Sequence, residues 1–139
     1  MLRFEIAAIS QCSGNSRGYF EPRVPGAQWG NGAIGNAKWT GVRLKDVLDR
    51  AGVAANAVQV RFSGLDTPPP DAPLFATSLD LAHAMDGAVP IAFQTNGAPL
   101  PILHGFPLRL AVPGRASTTG ARAPRRQDLA GRPHPRHAP

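Results

Sequence analysis

One cysteine, Cys12, stands in the whole sequence. A single thiol excludes an intrachain disulfide and a zinc site built from several cysteines. No window holds the ~18 uninterrupted apolar residues that a membrane-spanning helix needs, so no span is expected. The opening Met-Leu-Arg-Phe-Glu-Ile lacks the long apolar core of a secretory leader, so no export signal is expected either. No internal repeat occurs. From Arg115 onward aromatic residues are missing and Leu129 is the only large apolar side chain. A segment of that composition cannot bury enough apolar surface to offset its chain entropy, which predicts a disordered tail over 115–139.

What is present is enough for one modest domain, at 139 residues. The net charge of +6 and a sequence pI near 11.0 raise nucleic acid as a partner. Distribution qualifies that reading. The tail sets six arginines against Asp128, a net +5, whereas residues 1–114 carry nine basic and eight acidic groups, a net +1. A basic nucleic-acid-binding protein using the Arg-rich tail is therefore the alternative reading. It ranks second because the body is almost neutral and no base-stacking aromatic accompanies the tail arginines. A thiol redox protein using Cys12 ranks lower still, since no second cysteine could resolve it.

Along the chain, Leu2 to Ile9 alternates as a half-buried strand, with Phe4, Ile6 and Ala8 on one face. It runs into Cys12 and the turn-formers Ser13, Gly14 and Asn15, so the cysteine is expected where strand gives way to loop. Arg17, five positions on, places a cation within reach. The stretch from Tyr19 to Ile34 is rich in proline and glycine and reads as an ordered loop. A helix is expected from about Val42 to Ala51, capped by Thr40 and stopped by Gly52. Ala57 to Phe62 reads as a strand, Ser78 to Met85 as a short helix capped by Ser78, and Val89 to Gln94 as a strand. Asn96-Gly97 is a hairpin turn signal, with Leu100 to Leu103 returning at an edge because of Pro99 and Pro101. Leu108 to Val112 reads as a final strand. Trp29, Asn36 and Trp39 are expected to serve packing.

Several separated motifs, in order, carry a resemblance. They are Gln11-Cys12-Ser13-Gly14-Asn15, the run Gln28 to Val42, Gly64-Leu65-Asp66, Asn96-Gly97, His104-Gly105-Phe106-Pro107-Leu108-Arg109 and Val112-Pro113-Gly114. Together they resemble the molybdopterin-dependent sulfite oxidase family, and within it the molybdenum subunits of bacterial sulfite or sulfane dehydrogenases. The resemblance implies an α+β, strand-rich molybdopterin-binding fold and a molybdenum-molybdopterin cofactor. It implies that Cys12 binds the metal, that Arg17 lies close to the anion site, that His104 and Arg109 hold the pterin and its phosphate, and that Asp66 lies near the pterin. The implied reaction is a two-electron oxidation of sulfite or a carrier-bound sulfane sulfur, with a cytochrome c as electron acceptor, in the periplasm. The family is oligomeric, longer on the N-terminal side, and continues into a Tyr-Trp segment and a dimerisation domain. Those parts have no counterpart in this sequence. The expectation is therefore a partial domain over 1–114, followed by an Arg- and Pro-rich tail arising from a shifted reading frame.

Overall fold

The computed structural model describes residues 1–64, 67–68, 70–71 and 74–115. The expectations for the tail from 116 onward and for Asp66 lie outside the described residues. The described residues form a five-stranded antiparallel sheet in the order β1 (Phe4–Gln11), β2 (Ile34–Arg43), β5 (Pro90–Thr95), β6 (Ala98–Pro99), with β7 (Arg109–Leu110) sharing the far edge of β5, and a separate two-stranded pair, β3 (Gln59–Ser63) with β4 (Ala76–Asp80). This is the strand-rich α+β architecture the resemblance implied.

The first strand, β1 (Phe4–Gln11), alternates half-buried and exposed residues along its whole length, and the half-buried set is Phe4, Ile6, Ala8 and Ser10. It pairs with β2 (Ile34–Arg43) from Phe4 opposite Gly41 to Gln11 opposite Ile34. The Pro- and Gly-rich stretch is a loop as far as Ala33, as expected, and the long strand β2 corrects two other expectations: Thr40 is not a helix cap, and the helix expected from Val42 begins at Leu44. Thr40 is fully buried in mid-strand, where its hydroxyl donates to Glu5 Oε1 at 3.1 Å. A cross-strand partner thus overrides the local capping preference. Helix α1 (Leu44–Ala51) begins after Arg43, which makes no side-chain cap, and ends at Gly52, whose positive φ and N–H to the Leu48 carbonyl complete the C-terminus.

Strand β3 (Gln59–Ser63) pairs with β4 (Ala76–Asp80). Ser78 lies inside β4 opposite Arg61, so the expected helix shrinks to α2 (Leu81–Ala84). The pairing with β3 claims the residues that the capping signal had assigned to a helix. Strand β5 (Pro90–Thr95) turns through Asn96 and Gly97, both at positive φ, into the short β6 (Ala98–Pro99). Residues 102–104 form a 3-10 turn rather than the expected returning strand, because Pro101 cannot donate to a ladder. The last strand is β7 (Arg109–Leu110).

Neighbouring residues of β5 and β7 point to opposite faces of the sheet. Ile91 and Leu110 join the main core with Leu44, Leu48, Val60, Phe62 and Leu79, so α1 and the β3–β4 pair cover one face. Ala92 and Ala111 join a smaller cluster with Trp39 and Leu100, against which Ile6, Ala8 and Ala37 pack. That second, thinly covered face leads to Cys12.

Candidate functional site

Cys12 is the first residue after β1, in line with the half-buried positions Ile6, Ala8 and Ser10. Its N–H donates to the Ala33 carbonyl at 2.9 Å, one step past the last β1–β2 rung, so the strand holds its backbone while the side chain leaves the ladder. The Gly14 N–H points at Cys12 Sγ at 3.4 Å, a weak charge-tolerant contact of the kind a thiolate accepts. The thiol is free and half-buried. It opens onto a cleft of about 530 Å³ lined by Ser10, Trp29 and the run from Gly30 to Ile34.

Arg17, in a 3-10 turn spanning Arg17–Tyr19, lies against the other side of the same glycine. A Cβ added at Gly14 would stand 3.0 Å from Trp29 Cδ1 and 3.2 Å from Arg17 Cζ, so indole and guanidinium both crowd this glycine. Arg17 also fills the space beside Gly26, whose φ of +112° suits glycine, and its Nη1 donates to the Ala27 carbonyl at 3.4 Å. Gln28 Nε2 donates to the carbonyls of Val24 and Gly26, which shapes the loop that seats Arg17.

His104 and Arg109 form a second pair. His104 is exposed at the end of its 3-10 turn, and its carbonyl accepts from Arg109 Nη1 at 3.2 Å. The Arg109 guanidinium stands 5.3 Å from the centre of the Trp39 ring. Burial holds its pKa below the usual arginine value. A half-desolvated guanidinium of that kind favours an anion, because bringing a negative group to it restores the solvation that burial removed. Gly105, at φ +101°, is needed at this corner, since a Cβ there would meet Arg109 Cβ at 3.0 Å.

The structure therefore sets the four described candidates as two pairs, with Cys12 and Arg109 on one sheet face. The rung at Trp39 and Ile6 and the rung at Cys12 and Ala33 are six residues apart, or about 20 Å. The indole N–H of Trp39 donates to the Ala8 carbonyl, in the direction of the cysteine. Trp39 serves packing as expected, at 5 % exposure. Trp29 and Asn36 do not: Trp29 is 53 % exposed and walls the cleft, and Asn36 is exposed on β2. Sequence reasoning missed the other cleft residues, among them Asn31 and Ala33, because only the β1–β2 register carries them to the cysteine.

The donor set suits a molybdenum-molybdopterin cofactor. It offers one soft sulfur free of any disulfide at the mouth of a cleft, and a desolvated cation farther along the same face that an anionic group would complement. Among the described residues no three or more His, Cys, Asp or Glu side chains are grouped so as to hold a metal ion.

Residues 1–136 match the family described as the oxidoreductase molybdopterin binding domain. The sequence is 43 % identical over 118 residues to the mitochondrial sulfite oxidase of Homo sapiens, covering 81 % of this chain and 22 % of that protein. It is 44 % identical over 117 residues to the NAD(P)H nitrate reductase of Hordeum vulgare, covering 79 % of this chain and 13 % of that enzyme. The fold is similar to the crystal structure of the sulfane dehydrogenase SoxCD from Paracoccus pantotrophus, with a TM-score of 0.73 and 29 % identity over 88 % of this chain and 30 % of that one. The chain thus spans about a fifth of the length of the sulfite oxidases it matches. It belongs to the oxidoreductase molybdopterin binding domain family, with the strand-rich fold and the molybdenum-molybdopterin cofactor class of the sulfite oxidase type.

Proposed function

We propose that this chain is the cofactor-holding part of a sulfite-oxidase-type enzyme that oxidises sulfite or a carrier-bound sulfane sulfur. The observation that carries the reading is the free Cys12 thiol opening onto its cleft, on the same sheet face as the desolvated Arg109. When bound, the cofactor supplies a two-electron oxidation at sulfur, with water as the source of the added oxygen.

The protein's own groups have the following roles in this reading. Cys12 Sγ is the thiolate ligand to molybdenum, oriented by the Ala33 rung and the Gly14 N–H. Arg17 lies one glycine away, so its guanidinium is the group that attracts and orients an oxyanion through forked hydrogen bonds. Trp29 walls the cleft and limits water around the reacting sulfur. Arg109, steadied by the His104 carbonyl and the Trp39 ring, binds the phosphate of the pterin, and His104 borders it. Residues 1–114 contain every group this assignment uses. The electron acceptor assigned here is a cytochrome c and the compartment is the periplasm, both from the family resemblance.

The test is metal analysis of the purified chain after loading with molybdenum cofactor, beside Cys12→Ser. The parent is expected to retain molybdenum and the variant to lose nearly all of it. Equal retention would remove Cys12 as the ligand. Consumption of nitrate, with no oxidation of sulfite, would overturn the substrate half of the proposal.

A further inference from the structure

The β1–β2 ladder ends at Gln11 and Ile34, yet Ala33 has both of its backbone polar groups engaged. Its carbonyl accepts the Cys12 N–H at 2.9 Å, as a continuing strand would require. Its N–H donates at 2.9 Å to Asn15 Oδ1. A side-chain carboxamide thus takes the place of the missing strand carbonyl. The Asn15 N–H in turn donates to the Cys12 carbonyl at 3.0 Å, closing a tight turn around Gly14, whose N–H faces Cys12 Sγ. Asn15 is half-buried, and the residue it grips, Ala33, belongs to the cleft wall that faces the thiol.

We propose that Asn15 is a positioning residue for Cys12, its carboxamide fixing the thiol against the wall from Gly30 to Ala33. This deepens the proposed reading of Cys12 as a metal ligand and rests on it. The argument is geometric. Cys12 bonds the carbonyl of Ala33 and Asn15 bonds its N–H, so the turn between them cannot rotate without breaking a hydrogen bond to a half-buried residue. A thiolate ligand must aim its lone pairs as well as be present, and partners that orient a ligand typically change metal affinity ~10–100-fold when removed. The contact between Ser16 Oγ and Asn31 Oδ1, at 2.7 Å, pins the same two segments farther out in solvent and cannot substitute for a tie at the thiol.

Asn15→Asp keeps an acceptor oxygen in the same place, whereas Asn15→Leu keeps the volume and removes the acceptor. The full chain is compared in these two variants, the parent and Cys12→Ser. The measurements are Ala33 amide exchange, molybdenum-cofactor affinity and the thiolate-to-molybdenum charge-transfer absorption. Asn15→Leu is expected to raise Ala33 exchange at least about 10-fold, lower cofactor affinity about 10–100-fold and shift the absorption band. Asn15→Asp is expected to restore all three toward the parent. Should Asn15→Leu fail to fold, Asn15→Ala supplies the same comparison. Faster Ala33 exchange with unchanged affinity and band would reduce Asn15 to a turn stabiliser and overturn the proposal. Cofactor binding that persists in Cys12→Ser overturns the ligand reading and this inference with it, whereas a parent-like Asn15→Leu overturns the inference alone.

Discussion

At the Trp39 end of the site face the guanidinium of Arg109 rests on a buried indole, and Leu100, Ala92 and Ala111 pack beneath it. At the Cys12 end the 3-10 turn buries no residue, the segment from Tyr19 to Gly32 is exposed, and order comes from hydrogen bonds along the backbone and from Asn15 and Gln28. One end is fixed by apolar burial and the other by directional bonds with little burial behind them. The first arrangement is stiff and energetically expensive to disturb. The second adjusts locally and leaves its side chains approachable, as the anion site proposed there would require.

The largest effect is expected in the sheet that joins the two ends. Gly41 sits at the register shift where β2 passes from Gln94 to Ala92 of β5, leaving Phe93 as the extra residue. A Cβ there would collide with the Ile91 carbonyl, which belongs to the backbone and cannot swing aside. Gly41→Ala should therefore destabilise the fold by about 3 kcal/mol or more, read from the urea midpoint. A loss under about 1 kcal/mol would mean that the bulge absorbs a methyl group and that the sheet is softer than the packed end suggests.

A smaller, paired effect separates the two ends directly. Gly105 and Gly26 both have positive φ, and each makes room for an arginine of the proposed site, Arg109 and Arg17 respectively. Gly105→Ala pushes on the stem of Arg109 where it is packed, so a stability loss of about 1–2 kcal/mol is expected. Gly26→Ala strains an exposed loop that can relax into solvent, so its stability loss should fall at the low end of the same range, about 1 kcal/mol, while Arg17 is displaced. Sulfite titrated into the loaded protein and followed by tryptophan fluorescence should accordingly weaken more in Gly26→Ala than in Gly105→Ala. The reverse order would remove the contrast between a packed end and an adjustable one.

That contrast also accounts for what the sequence made legible. The alternation of Phe4, Ile6 and Ala8 marked β1 because one face of that strand is half-buried and the other wet. The strand β2 was illegible for a reason visible in Thr40: Gly35, Lys38, Thr40 and Gly41 break any alternation, and a threonine before an apolar stripe reads locally as a helix cap. Only Glu5, thirty-five residues away, shows why Thr40 is buried in a strand. Ser78 misled in the same way until Arg61 paired with it. At the proposed site, Cys12 with Arg17 and His104 with Arg109 lie five residues apart within the motifs that carry the resemblance, which is what singled them out in the sequence. The tie from Asn15 to Ala33 and the place of Trp29 in the cleft wall were not legible, because both depend on the loop from 12 to 33 closing back onto the strand end.

The smallest predicted effect tests whether the bonds between β1 and β2 away from the site matter at all. The Glu5 carboxyl is held below its ordinary pKa chiefly by the Thr40 hydroxyl, then by a hydrogen bond from Arg3 and the charge of Lys38. A carboxylate whose folded pKa lies below its unfolded value contributes stability that is present above the unfolded value, near 4.5, and is lost as pH falls through the folded one. Glu5 is solvent-exposed and salt screens its partners, so the contribution is small. The urea midpoint of the parent should drop slightly more than that of Glu5→Gln between pH 6 and pH 3, with both measured at the same low ionic strength. Thr40→Val should erase most of that difference, because it removes the largest cause of the depressed pKa while keeping a β-branched side chain in mid-strand. If the difference survives in Thr40→Val and disappears only with added salt, the exposed cations Arg3 and Lys38 hold Glu5 charged, and the buried hydroxyl serves the strand rather than the carboxylate.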